Sequence, residues 1–144
     1  MAALRPSPVI IASASVVVLL GACSSQTPGS LVASPSADAD PQTVVQAFVD
    51  AVNAGETQLV LDLSQDGSSQ FESWIEDGAT LRDAQVLGLF DGPYGEAEPS
   101  QMTVTVSFVP EGTDDSLPPG SEVTWGFDLT NETGRWLVIG AGVG

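Results

Sequence analysis

Few side chains in this sequence can carry chemistry, and their spacing narrows the choice further. The chain holds a single cysteine, Cys23, a single tyrosine, Tyr94, and no histidine. A thiol is a good acceptor for a covalent group, which makes Cys23 the candidate for modification. Serines are plentiful, but serine needs a neighbouring base to act as a nucleophile and no imidazole exists to serve one. Acid–base work would fall to carboxylates with a tuned pKa inside a pocket. Asp83 and Asp128 stand within apolar, alternating stretches. Alternation puts Asp128 on the face opposite Trp125 and Phe127, in water, whereas Asp83 fits either face. Tyr94 lies in "FDGPYGEAEP", which reads as a loop. The expectation is therefore a protein without catalytic residues.

Metal chemistry is equally constrained. A structural zinc site needs several nitrogen or sulfur ligands, which this composition lacks. In "DLSQDGSSQFES", Asp62, Ser64, Asp66 and Gly67 match the first, third, fifth and sixth positions of a calcium loop. Its twelfth position requires a bidentate Glu, but Ser73 stands there and Glu72 comes one residue early. The same residues read as a helix end, a glycine turn and a serine cap. Glu111, Asp114 and Asp115 fall in a Pro- and Gly-rich hairpin connection. Asn131-Glu132-Thr133 fits a glycosylation pattern, and also a plain hairpin turn. No metal and no cofactor is expected.

The remaining unusual residues are Trp74, Trp125 and Trp136. They fit either core packing or the lining of a cavity for an apolar ligand. Charge argues against two kinds of partner. The chain has 3 basic and 19 acidic residues, no lysine, and a formal net charge of -16. Such a chain has no basic footprint for nucleic acid, and an anionic bilayer surface repels it.

The elements that must position these residues are legible from periodicity. Asp40 is a good N-cap and Pro41 a good first helical residue. Val44, Val45, Phe48, Ala51 and Val52 then recur at helical spacing up to Gly55. Thr57 to Leu63 reads as a second short helix, with Leu59, Val60 and Leu63 inward. Ser68 can cap a third that runs to Glu76, with Phe71, Trp74 and Ile75 on one face. The period then changes to two. Leu81–Phe90, Met102–Phe108, Val123–Leu129 and Trp136–Ile139 read as strands. Helices followed by an antiparallel four-stranded meander make an α+β domain.

Upstream, the apolar run Val9 to Leu20, preceded by Arg5, leads into small residues and then the thiol. Leu20-Gly21-Ala22-Cys23 resembles the lipobox of bacterial lipoproteins. That resemblance implies that Leu20, Gly21 and Ala22 are recognised by a signal peptidase. It implies that Cys23 receives a diacylglyceryl group and becomes the amino terminus. The layout expected is a signal peptide over 1–22, a Ser-, Pro- and Ala-rich tether over 23–40, and a folded domain over 41–144. A lipid on Cys23 would tie the protein to the extracytoplasmic face of the cell membrane, each buried methylene contributing ~0.8 kcal/mol.

The domain itself, with "VVQAFVDAVNAGE" at its start and "GRWLVIGAGVG" at its end, resembles the nuclear transport factor 2-like superfamily, and within it small actinobacterial lipoproteins. The resemblance implies a cone-shaped, cystatin-like domain, with a curved sheet wrapped against helices. It does not imply one function. Phe48, Phe71, Trp74, Trp125 and Phe127 are then the candidate pocket lining. The expected role is a non-catalytic binding domain for a small apolar molecule or an envelope protein partner. An enzyme using a pocket carboxylate, and a structural or dimerisation module, are the alternatives.

Overall fold

Backbone preferences and apolar spacing build seven elements in the computed structural model, which describes residues 31–65, 69–90, 100–113 and 120–143. Helix α1 spans Pro41–Ala54. The Asp40 carboxylate starts it by accepting from the Thr43 backbone N–H at 3.0 Å and from the Thr43 hydroxyl at 2.8 Å. Pro41 needs no partner for a missing N–H at that position. Gly55 ends the helix in the left-handed conformation, φ 67°. Helix α2 spans Thr57–Asp62 and buries Leu59 and Val60, while Leu63 caps it and is buried too. Helix α3 spans Ser69–Glu76. The expected cap, Ser68, lies outside the described residues, as do Asp66 and Gly67.

Four strands follow: β1 Thr80–Phe90, β2 Gln101–Glu111, β3 Val123–Thr130 and β4 Leu137–Gly142. They form one open antiparallel sheet in the order β1-β2-β3-β4. This is the α+β meander expected from the period change. β2 and β3 stay in unbroken register from Gln101↔Thr130 to Phe108↔Val123. β1 does not hold register with β2, which shifts between Arg82 and Gln85 and again between Val86 and Gly88. Such irregularities bend a strand and sharpen its twist. β4 begins one residue later than expected and runs three residues further, to Gly142.

The helices cover one face of the sheet. Val104, Val106 and Phe108 of β2 and Trp125, Phe127 and Leu129 of β3 all point inward and are buried, as alternation requires. α1 supplies Val45, Phe48 and Val49 against them, and α3 supplies Phe71 and Trp74. The other face carries Thr103, whose hydroxyl donates to Asp128 at 2.7 Å.

A side-chain amide grips one residue on each outer strand of the sheet. Asn53 of α1 donates from Nδ2 to Leu81 O at 2.9 Å and accepts the Leu81 N–H on Oδ1 at 2.7 Å. Gln70 of α3 does the same for Ala141 on β4, at 2.7 and 3.2 Å. The chain after α2 adds two backbone bonds to β4, from Gln65 N–H to Val138 O at 2.9 Å and from Val138 N–H to Leu63 O at 2.9 Å. Each amide offers a donor and an acceptor at the spacing of a neighbouring strand.

Residues 31–40, read from composition as part of a tether, lie against the folded body. Val32 and Ala39 pack on its core. The Leu31 N–H donates to Glu56 Oε1 at 2.7 Å. Two small apolar side chains in a Ser/Pro-rich segment suffice for this contact, and composition alone does not reveal it.

Candidate functional site

α1 and α3 end in the same way and at the same place. At the end of α1, Gly55 N–H donates to Val52 O at 3.0 Å and Glu56 N–H to Ala51 O at 2.9 Å. At the end of α3, Gly78 N–H donates to Ile75 O at 3.3 Å and Ala79 N–H to Trp74 O at 2.8 Å. Gly78 has φ 65°, close to the 67° of Gly55. This is the glycine-dependent wrapped cap, in which a left-handed residue lets the chain turn back over the last helical carbonyls.

Between the two caps and the first residues of β1 opens a pocket of about 320 Å³. Ala51, Val52, Asn53, Ala54 and Gly55 form one wall and Trp74, Ile75, Gly78 and Ala79 the other, with Thr57, Val60 and Thr80 closing it. None of these side chains is charged. The space exists because alanine and glycine stand where larger residues would fill it. Asn53 fixes the geometry, since its two bonds to Leu81 clamp the end of α1 to the start of β1.

The five aromatic residues expected to line a cavity come together, with Phe108 as a sixth. Ring centroids are separated by 4.8 Å for Phe48–Phe71, 5.3 Å for Phe71–Trp74 and 6.0 Å for Trp74–Trp125. The circuit closes through Trp125–Phe108 at 5.3 Å, Phe108–Phe127 at 6.2 Å and Phe127–Phe48 at 6.1 Å. Most of the pairs are edge-to-face, the arrangement that aromatic quadrupoles favour. The rings therefore meet one another, and Trp74 alone of the five also lines the pocket between the caps. The indole N–H of Trp125, in the ring circuit and not in that pocket, is buried without a hydrogen-bond partner.

Trp136 sits apart. It is half-buried beside Arg135, in a groove of about 330 Å³ that also takes in Ser34, Pro35, Ser36 and Ala37. Arg135 donates to Asp62 O at 2.6 Å, and the Asp62 carboxylate accepts from Gln58 Nε2 at 2.9 Å. Ser73 donates its hydroxyl to Gln70 O at 2.8 Å. Among the described residues no group of three His, Cys, Asp or Glu side chains is placed to hold a metal ion.

Asp83 is exposed on β1, in the first register shift, with φ 55°. Asp128 lies on the face away from the helices, as alternation required, and is half-buried under its bond from Thr103. Glu111 pairs with Arg82 at 2.8 Å across the β1–β2 ladder. The Asp40 carboxyl is held below its usual range by its bonds from the Thr43 N–H and hydroxyl. Asp38 is lowered by a hydrogen bond from Ser36. Leu20, Gly21, Ala22, Cys23, Tyr94, Asp114 and Asp115 lie outside the described residues.

Sequence reasoning missed most of the pocket wall. The signal that could have found it is the pair "NAGE" and "EDGA", each a helix end followed by glycine, with alanine beside it.

No family model matches the sequence, and no curated protein matches it. Its fold is similar to the solution structure of a SEC-C motif containing protein from Rhodopseudomonas palustris, with 13% sequence identity and a TM-score of 0.51. The match covers 72% of this chain and 78% of that one. At that identity the likeness shows the arrangement of helices on an antiparallel sheet and nothing of its use.

Proposed function

We propose that this chain is a lipid-anchored, non-catalytic binding domain on the extracytoplasmic face of a bacterial membrane, and that it takes a small apolar molecule between the ends of α1 and α3. The pocket carries the reading. It has an uncharged, largely apolar lining, an indole wall at Trp74, and a few polar groups from Asn53, Thr57 and Thr80. A concave apolar site with few polar groups is the usual form of a small-molecule site. Anchorage through Cys23 is supported by the Leu20-Gly21-Ala22 run before it. Membership of the nuclear transport factor 2-like superfamily is supported by the order of three helices and a four-stranded meander.

Two measurements test the proposal. N-phenyl-1-naphthylamine, a neutral apolar fluorophore, should bind the purified chain saturably, and Ala54→Leu should abolish this by filling the pocket. Non-saturable uptake, or uptake unchanged by Ala54→Leu, would remove the binding role. For the anchor, Cys23→Ser should move the protein from the detergent phase to the aqueous phase on partitioning. Identical partitioning of both forms would remove the lipid.

A further inference from the structure

We infer that the pocket selects for positive charge, so that its ligand is an organic cation with an apolar body, of the alkylammonium class. The inference rests on the binding role proposed above and adds a charge preference to it. The two main walls of the pocket are the C-termini of α1 and α3, where the peptide dipoles leave partial negative charge, and the N-terminus of the shorter α2 reaches the pocket at Thr57 alone. Neither α1 nor α3 has a basic residue in its last turn to offset that charge. The chain next to the lining adds exposed carboxylates at Glu76 and Asp77, between Ile75 and Gly78, while the Glu56 carboxylate after Gly55 accepts the Leu31 N–H.

The basic side chains among the described residues, Arg82 and Arg135, are engaged elsewhere. Arg82, which follows the lining residue Thr80 by two positions, is turned to Glu111 at 2.8 Å. Arg135 is bonded to Asp62 O. An apolar molecule bearing a carboxylate would fit the same walls and meet two helix ends of its own sign. The uncharged lining keeps the cation from being locked in a buried ion pair, so the apolar body supplies the affinity and the field supplies the choice.

Three probes with one ten-carbon chain separate the contributions: decyltrimethylammonium, decanol and decanoate, each titrated below its micelle concentration into the full chain. Tryptophan fluorescence reports occupancy. The cation should bind at least about tenfold tighter than the carboxylate, equivalent to ~1.4 kcal/mol, with the alcohol between them. Thr57→Lys puts a positive charge on the wall and should reverse that order, provided its melting curve shows it folded. Glu76→Gln with Asp77→Asn, both exposed, should narrow the ratio about threefold. Equal affinity for all three probes would overturn the charge preference and leave apolar binding standing. No saturable binding by any of them would remove both. Cation binding that persists in Thr57→Lys would assign the attraction to the acidic surface at large, which also overturns the inference.

Discussion

Helix α1 passes through two kinds of packing, and the contrast explains where this molecule keeps its space. Its middle, at Val45, Phe48 and Val49, meets a closed circuit of six aromatic rings whose members touch in sequence. Its end, at Ala51, Ala54 and Gly55, faces the end of α3 across a pocket of about 320 Å³. The same helix, on the same sheet, is filled in one place and open in the other. Ring-sized side chains interdigitate to crystal-like density. Alanine and glycine set side by side on two helix ends cannot, because neither reaches across the gap.

Substitutions can break this contrast. The largest effect should come from the closed circuit. Trp125→Ala removes a ring in contact with both Trp74 and Phe108 and should cost about 3–5 kcal/mol in chemical denaturation. A loss well below that would mean the circuit holds usable space. Asn53→Ala comes next. It deletes both bonds to the Leu81 backbone and unclamps α1 from β1, an expected loss of about 2 kcal/mol. Hydrogen exchange at the Leu81 amide should rise with it.

Asp40→Ala tests the far end of the same helix, away from the pocket, and should cost about 1 kcal/mol as a lost cap. This contribution depends on pH. The folded carboxyl titrates below its ordinary value because Thr43 stabilises the charged form. Its stabilisation is therefore present above the unfolded pKa of 3.8 and lost as pH falls through the lower folded value. Asp40→Asn keeps an oxygen for the cap and should flatten that part of the acid-unfolding profile. The smallest effect belongs to the pocket. Ala54→Leu enlarges an exposed residue facing open space and should change stability by no more than about 0.5 kcal/mol, while blocking ligand uptake.

Residues that sit on one face of a regular element were readable before the fold was seen. Phe71, Trp74 and Ile75 fall on one side of a helix, and Trp125, Phe127 and Leu129 on one side of a strand, by spacing alone. Periodicity reports which way a side chain points, so it identified the aromatic residues as inward. It does not report what stands opposite, so it could not separate a lined cavity from rings packed on rings. The pocket was illegible for the converse reason. Ala51, Ala54, Gly55 and Gly78 have no large side chain to mark a face, and their meeting depends on how α1 and α3 are placed on the sheet. Asp83 was ambiguous because alternation fails at a register shift, and that is where it lies.

The clamps made by Asn53 and Gln70 bear on how this molecule ages. An open strand margin is a template for the strand of another molecule. Here Leu81 and Ala141 already have both backbone groups taken by side-chain amides. Crowded copies on a surface would find those hydrogen bonds occupied. The seal depends on carboxamide nitrogen. Hydrolysis of Asn53 to aspartate would keep the bond from the Leu81 N–H but set a carboxylate oxygen against the Leu81 carbonyl oxygen, with no donor between them. One spontaneous deamidation would then free the backbone groups of Leu81 at the start of β1 and loosen a pocket wall together, so slow chemical wear at a single side chain would be felt as lost binding.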